Sequence, residues 1–213
     1  NTMLAAVNGF LRFMGWGELT VRFLKIQKAL FCDERRELTR ADYVRLVNTA
    51  RRKRKERLSL VLQTICATVI RVSELREITA EAVASGRAEI ANKGKRRSIF
   101  LSEKLCRLLK SYLKRNGITA GPVFVTRSGR PLDRSNIWRD MKVLCKSAGV
   151  KPDKVFPHNL RHLFARTFYT QEKDLSRLAD ILGHTSVNTT RIYTAESGLI
   201  HARQMERMGL IVT

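Results

Sequence analysis

The chain has 213 residues, of which 41 are lysine or arginine and 19 are aspartate or glutamate, so its formal net charge at pH 7 is +22. This length suits one large domain, or one domain with a fragment of a neighbour, and no apolar run reaches membrane-spanning length. The charge favours nucleic acid as the partner, because basic side chains displace the counterions of phosphates. A basic surface kept for solubility, or a ribosomal type of protein, is the alternative from charge alone.

The cysteines and the two ends of the sequence bear on compartment and completeness. The four cysteines are widely separated, with no C-x-x-C pair and no paired Cys/His spacing. That pattern argues against zinc and disulfides and fits a reducing cytoplasm, and no secretory signal is visible. Because the first residues are typical of the middle of a helix, we expect a fragment of a longer protein.

The amino-terminal part predicts two helices joined by a linker. An apolar stripe indicates a first helix that ends near Gly15-Trp16-Gly17, and a linker over residues 21–31 carries Lys25 and Lys28. Thr39 is expected to cap the next helix. We expect that helix to carry a basic run, which is either a solvated face or a contact to the phosphate backbone. The run is Arg51-Arg52-Lys53-Arg54-Lys55.

The rest of the chain predicts a mainly α fold with a small antiparallel β-sheet (α+β). Residues 58–70 are nearly apolar and indicate a buried helix. Three β-prone segments separated by glycine turns follow, at 82–85, 88–91 and 98–101. Further helices are predicted at 103–116, 135–148, 157–170, 174–182, 186–193 and 199–208.

Two segments carry residues that suit phosphate chemistry. Pro157 suits the first turn of a helix, and this places His158, Arg161 and His162 on one face. Such a helix end favours an anion, and Phe156 is a poor cap for it. Arginines and histidines stabilise the charge of a phosphodiester transition state, and a tyrosine phenol can be the covalent nucleophile.

Arg71 directly follows the apolar helix, where a charge is costly to bury unless it is paired. Glu74 is the expected partner, either in a purely structural ion pair or while the arginine also binds a phosphate. Further along the chain, Gly183 ends a helix and presents His184 at a bend. Tyr193 falls at the end of the helix after it, where it is either a core residue or a nucleophile.

Five motifs, in order over roughly residues 38–200, resemble the tyrosine recombinase (phage integrase) family. Any one of them alone would be weak, but five in register are highly specific. The motifs are Ile70-Arg71-Val72-Ser73-Glu74-Leu75, Lys93-Gly94-Lys95, His158-Asn159-Leu160-Arg161-His162, Leu182-Gly183-His184 and Thr189-Thr190-Arg191-Ile192-Tyr193-Thr194.

The resemblance implies a catalytic domain that cuts DNA through a 3′-phosphotyrosyl bond. No metal and no other cofactor is expected, because cationic side chains stabilise the phosphate and one ester is exchanged for another. The implied catalytic residues are Arg71 and Arg161 as paired arginines, His158 and His184 as phosphate-binding and proton-handling histidines, Lys93 as general acid, and Tyr193 as nucleophile. The expected DNA-binding residues are Lys25, Lys28, Arg51, Arg52, Arg54, Lys95 and Arg96.

The chain departs from the family pattern at two positions. Val69 stands where the family usually has glycine, and the Lys93 hairpin is one residue shorter than usual, which leaves Lys95 as a rival general acid. Residues 1–30 resemble only the last helix of the family's core-DNA-binding domain, with a linker. We expect residues 31–213 to form the catalytic domain, with a tail at about 195–213 that packs on a neighbouring copy in a DNA-bound tetramer or, alternatively, on its own domain.

The resemblance leaves the biological role open. Integration and excision of a mobile element, from a bacterial or phage source, is the favoured hypothesis for a cytoplasmic enzyme of this kind. The alternatives are resolution of chromosome or plasmid dimers, relaxation as in type IB topoisomerases, and a basic DNA-binding protein that keeps the fold without catalysis. A complete set of six catalytic residues weighs against the last.

Overall fold

The computed structural model describes residues 1–24, 36–92, 95–183, 187–190 and 206–208. The chain divides into two compact units, Asn1–Phe31 and Cys32–Thr213. In the first unit, helix α1 (Thr2–Phe13) confirms the predicted first helix, and a 3₁₀ turn follows at Gly17–Leu19. The amide of Asn8 exchanges two hydrogen bonds with the backbone of Val21, at 2.8 and 3.0 Å.

The second unit begins with helices α2 (Arg40–Arg52) and α3 (Glu56–Thr68). Thr39 caps α2 as predicted, because its hydroxyl accepts from the Asp42 amide at 3.1 Å and the Asp42 carboxylate accepts from the Thr39 amide at 3.2 Å. This reciprocal pair satisfies two amides at the start of the helix.

The basic run ends α2 at Arg52 and continues through the turn before α3, so its prediction as part of a helix is wrong beyond Arg52. Arg54 has a left-handed φ of +55°. The Lys55 amide then reaches back to the carbonyl of Ala50 at 2.9 Å. This closure satisfies a carbonyl that the ended helix would leave open, and it exposes the arginines of the run.

A 3₁₀ helix (Val72–Glu77) and helix α4 (Ala80–Ser85) precede a hairpin of β1 (Arg87–Asn92) and β2 (Lys95–Phe100). The predicted strand at 82–85 is therefore wrong. The Thr79 hydroxyl caps α4 by accepting from the Ala82 amide at 3.2 Å, and Gly86 ends the helix at a positive φ. These caps at both ends outweigh the strand propensity of so short a segment.

The two-stranded antiparallel sheet confirms the other two predicted strands. In its register, Ala88 lies opposite Ile99 and Ile90 lies opposite Arg97. Ala88, Ile90 and Ile99 are all buried. The sheet therefore has one core-facing side, and the position of Arg97 belongs to it.

The remaining described helices follow the predicted order, whereas most of the helix predicted at 199–208 and the end of the one predicted at 186–193 lie outside the described residues. The described helices are α5 (Glu103–Arg115), α6 (Arg134–Ala148), α7 (Pro157–Glu172), α8 (Leu175–Leu182) and α9 (Val187–Thr190), with a 3₁₀ turn at Pro152–Lys154. Within the described residues, no helix is long and apolar enough to cross a bilayer. The described part of the chain is thus mainly helical with one small sheet.

Two apolar clusters hold these elements together. The larger one includes buried side chains of α2, α3, α5, α6 and the sheet. The smaller one consists of Val69, Ala165, Leu178 and Leu182. Because these four belong to the end of α3, the middle of α7 and the body of α8, the small cluster brings the carboxyl ends of α3 and α8 to the side of α7.

Candidate active site

Arg71 caps the start of the 3₁₀ helix, three residues after the last residue of α3, and is paired with Glu74. The Glu74 carboxylate accepts from the Arg71 amide at 2.7 Å and from its guanidinium at 3.0 Å. The Glu74 side chain is only 5% exposed, whereas that of Arg71 is 42% exposed. The predicted pair is therefore present, and the arginine keeps a solvent-facing side on which an anion can bind.

Arg97 is a second cation on the same carboxylate, and sequence reasoning missed it. Its guanidinium donates to Glu74 at 2.6 Å and to the carbonyl of Leu182 at 2.7 Å. A signal was available in the sequence: Arg97 and Ile99 are two residues apart in β2, so both side chains should lie on the same, buried side of the strand. A charged residue there needs a partner.

Arg161 lies on α7 and is 4% exposed. Its guanidinium donates to the carbonyl of Val69, the residue that ends α3, and to the carbonyl of Leu182 at 3.3 Å. Because Val69 lies two residues before Arg71, this bond brings the two predicted arginines to one region. It also ties the end of α8 to the same place.

Two histidines of α7 lie beside these arginines. The rings of His158 and His162 make an edge-on contact, with centroids 4.6 Å apart. Partial burial, followed by the charges of Arg161 and Arg71, lowers the pKa of His158. Burial, followed by His158 and Arg161, lowers the pKa of His162 to about 4. Both rings are therefore neutral at pH 7, so each can accept as well as donate a hydrogen bond.

The amino end of α7 completes this part of the site. Phe156 occupies the cap position without a side-chain hydrogen bond, and Pro157 is the first helical residue. The positive end of the helix dipole attracts anions. Together with Arg71 and Arg161, it makes this region suited to a phosphate group.

The structure describes only some of the predicted catalytic residues. It brings Arg71, His158 and Arg161 together. Lys93, His184 and Tyr193 lie outside the described residues. Gly183, immediately before His184, ends α8 at a φ of +66°.

The predicted DNA-binding residues are described in part. Arg51, Arg52, Arg54 and Arg96 are exposed. A surface groove of about 540 Å³ runs along α2 and is lined in part by Arg45, Arg51 and Arg52. Lys25 and Lys28 lie outside the described residues, and Lys95 is described only by its backbone in β2.

The described residues contain no group of three or more histidine, cysteine or acidic side chains that could hold a metal ion.

The fold is shared with solved structures of recombinases. The crystal structure of XerA recombinase has a TM-score of 0.69 at 24% identity, over 99% of this chain and 75% of that one. The XerH site-specific recombinase bound to difH gives 0.71 at 23% identity, over 93% of this chain and 62% of that one. At this identity the likeness concerns the fold: this is the fold of a tyrosine recombinase catalytic domain.

The sequence comparison gives the family. Residues 36–198 match the model of the phage integrase family. Tyrosine recombinase XerD of Xanthomonas campestris is 36% identical over 166 residues, which are 69% of this chain and 51% of that protein. Tyrosine recombinase XerA of Pyrococcus furiosus is 29% identical over 99% of this chain and 74% of its own length. The chain belongs to the phage integrase family, and it spans about half the length of several curated relatives that it matches.

Proposed function

We propose that the chain is the catalytic domain of a site-specific DNA recombinase that cuts and rejoins DNA through a phosphotyrosine at Tyr193. The observation that carries this proposal is the meeting of Arg71, Arg161 and His158 near the amino end of α7. A family match over residues 36–198 supports it.

In this proposal Arg71 and Arg161 have different roles at the scissile phosphate. The half-exposed guanidinium of Arg71 meets the scissile phosphate directly, and the buried guanidinium of Arg161 adds its positive charge to the same site. Charge on the phosphate oxygens grows in the transition state, so donors already fixed in place stabilise it without reorganisation. Neutral His158 adds a hydrogen bond to the same phosphate.

The chemistry of the proposed reaction is a balanced exchange of esters. The Tyr193 oxygen attacks phosphorus and forms the 3′-phosphotyrosyl bond, its phenolic proton passes to His158 or His184, and the 5′ oxygen leaves as Lys93 protonates it. The 5′ hydroxyl of a partner strand then gives its proton to Lys93 and attacks the phosphotyrosine, and the released tyrosine takes its proton back from the histidine. No nucleotide cofactor is needed, because each step replaces one phosphodiester bond by another.

A nicked suicide duplex tests the proposal. Once the short piece below the nick diffuses away, the covalent complex cannot reverse and is visible on a denaturing gel. The parental chain should form the adduct, and Tyr193→Phe should bind the duplex without forming it. Tyr169→Phe, which removes the hydroxyl of a tyrosine on α7, is the matched control. An adduct that persists in Tyr193→Phe, or a parental chain that forms none, would contradict the proposal and favour a DNA-binding protein without catalysis.

We propose that the exposed arginines of the α2–α3 turn and of β2 contact the DNA backbone, with Lys25, Lys28 and Lys95 as further contacts. The groove beside Arg51 and Arg52 and the exposure of Arg54 and Arg96 support this. A plot of log affinity against log salt has a negative slope, and each lost phosphate contact reduces the magnitude of that slope by about 0.9. Replacing Arg51, Arg52 and Arg54 by glutamine should therefore reduce the slope by about 2 to 3, whereas an unchanged slope would make the turn a solvated surface.

For the biological role, we propose integration and excision of a mobile element of bacterial or phage source, acting in the cytoplasm. Resolution of chromosome or plasmid dimers uses the same chemistry and is the alternative. The DNA flanking the gene distinguishes them. Recombination sites on both sides of the gene would support integration, and a single chromosomal site far from it would support resolution.

We further propose that four copies assemble on two DNA sites and that the tail after Glu196 packs on a neighbouring copy. Removing the tail should leave binding of single domains to DNA intact and abolish larger complexes and strand exchange. Sedimentation of the DNA complex, measured beside suicide-substrate cleavage, gives both readouts. A truncated chain that assembles and recombines normally would show that the tail only stabilises its own domain.

A further inference from the structure

The Glu74 carboxylate lies between two arginines and is almost completely buried. Arg71 reaches it with its amide and its guanidinium, and Arg97 reaches it at 2.6 Å. Burial raises the pKa of Glu74, but the Arg71 amide and the charges of Arg97 and Arg71 outweigh it and lower the pKa below its ordinary value. Glu74 is therefore ionised, and two cations around one anion leave a net positive charge in this cluster.

Arg97 is also held against the end of α8. It donates to the Leu182 carbonyl at 2.7 Å. A Cβ on Gly183 would lie 2.5 Å from Nη1 of Arg97, so the side chain occupies the space that this glycine leaves. With bonds to both Glu74 and Leu182, the guanidinium has a fixed position between the 3₁₀ helix and the segment that leads to His184.

We propose, on the basis of the recombinase function above, that Arg97 is a positioning residue of the cleavage site that acts through Glu74. By neutralising Glu74, Arg97 leaves the charge of Arg71 available to the scissile phosphate. Without Arg97, Glu74 and Arg71 form a one-to-one ion pair, and the guanidinium attracts a phosphate less strongly because its charge is already compensated. Arg97 itself does not touch the DNA.

The charge balance gives a direct test, because a neutral residue at position 74 removes the need for Arg97. In single-turnover cleavage of the suicide duplex, Arg97→Met should be about 10- to 100-fold slower, on the order of the loss seen when residues that orient metal ligands are replaced. Duplex affinity should change much less. In a Glu74→Gln chain, whose amide oxygen still accepts from Arg71, adding Arg97→Met should change the rate less than threefold.

An exposed ion pair on the same hairpin provides the matched control. Arg87 donates to Glu89 at 2.7 Å, and both side chains are more than half exposed. Arg87→Met, with or without Glu89→Gln, should leave cleavage unchanged. If Arg97→Met is equally harmful in the parental and the Glu74→Gln chains, Arg97 acts on the phosphate directly or only supports the fold, and the proposal is overturned.

A second measurement separates failure of this proposal from failure of the recombinase function. Arg97→Met should lower the urea midpoint of the parental chain, because it leaves Glu74 buried with one cation fewer, and should lower it much less in the Glu74→Gln chain. A parental chain that forms no adduct would refute the recombinase function alone. Equal midpoint shifts in both chains, or unchanged cleavage by Arg97→Met in an active parent, would overturn the role given to Arg97.

Discussion

Val69 has a backbone conformation that a β-branched residue rarely adopts. It ends α3 with φ +53° and ψ 22°, in the left-handed region, and its carbonyl accepts from Arg161. Its side chain is nevertheless 1% exposed, in the cluster with Ala165 and Leu178. Glycine, which the family resemblance gives for this position, would relieve the strain and lose the packing.

The two effects are of similar size. An L-residue in this region costs about 1–2 kcal/mol. Changing Val69 to alanine removes two buried methyl groups, worth about 0.8 kcal/mol each. Replacing that alanine by glycine removes a third buried methyl group, and the flexibility of glycine costs about 0.5–1 kcal/mol more. The backbone strain that glycine releases offsets these two losses. We therefore expect Val69→Gly and Val69→Ala to have the same free energy of unfolding to within about 0.5 kcal/mol.

Val61 provides the matched site, because it is fully buried in the interior of α3, the same helix. There the step from alanine to glycine should cost about 1.5 kcal/mol, since it loses a buried methyl group and adds flexibility without relieving strain. Urea unfolding of the four variants, with equal m values, gives the two steps. Their difference of about 1–2 kcal/mol measures the strain at Val69. Equal steps at both sites would refute the reasoning.

Three further predictions concern the site. Arg71→Ala and Arg161→Ala should each slow cleavage on the order of 10²–10³-fold and weaken DNA binding far less; cleavage at the parental rate would make that arginine structural. A 5′-bridging phosphorothioate, whose leaving group needs no proton, should rescue Lys93→Ala, and rescue of Lys95→Ala instead would transfer the general-acid role. The imidazole of His162 is neutral when folded but takes a proton when unfolded below its ordinary pKa of 6.5. The free energy of unfolding is therefore not affected by this group above pH 6.5, and it falls as the pH falls towards 4, by about 1–2 kcal/mol at pH 5. His162→Gln should make the urea midpoint depend less on pH between pH 7 and 5.

The elements that sequence reasoning predicted well have their signals within one segment. Thr39 and Asp42 form a capping box from residues three apart, and the nearly apolar run of α3 predicts its own burial. The pairing of Arg71 with Glu74 is equally local, because the two residues lie in one turn. Such features depend on neighbours in the chain, so a sequence contains them directly.

The features that were missed depend on distant contacts. Arg97 meets Glu74 and Leu182 from 23 and 85 residues away. The acceptors of Arg161 include Val69, 92 residues away. No spacing rule connects such positions. Only the alternation of side chains along β2 indicated that Arg97 is a charged residue on the buried side of the strand. The strand predicted at 82–85 failed for another reason: its propensity is weak, and caps at both ends decided its structure.

The buried position of Arg161 follows from the acceptors that it has. Val69 ends α3 and Leu182 is the last residue of α8, so both carbonyls lie at helix carboxyl ends, where the dipole is negative. Two such ends offset much of the cost of burying a guanidinium. The same bonds fix the segments that follow, of which one leads to Arg71 and the other to His184. Arg161 therefore has an organising part in addition to its charge, whereas Arg71, which is held by a carboxylate shared with Arg97, remains half exposed to an incoming phosphate.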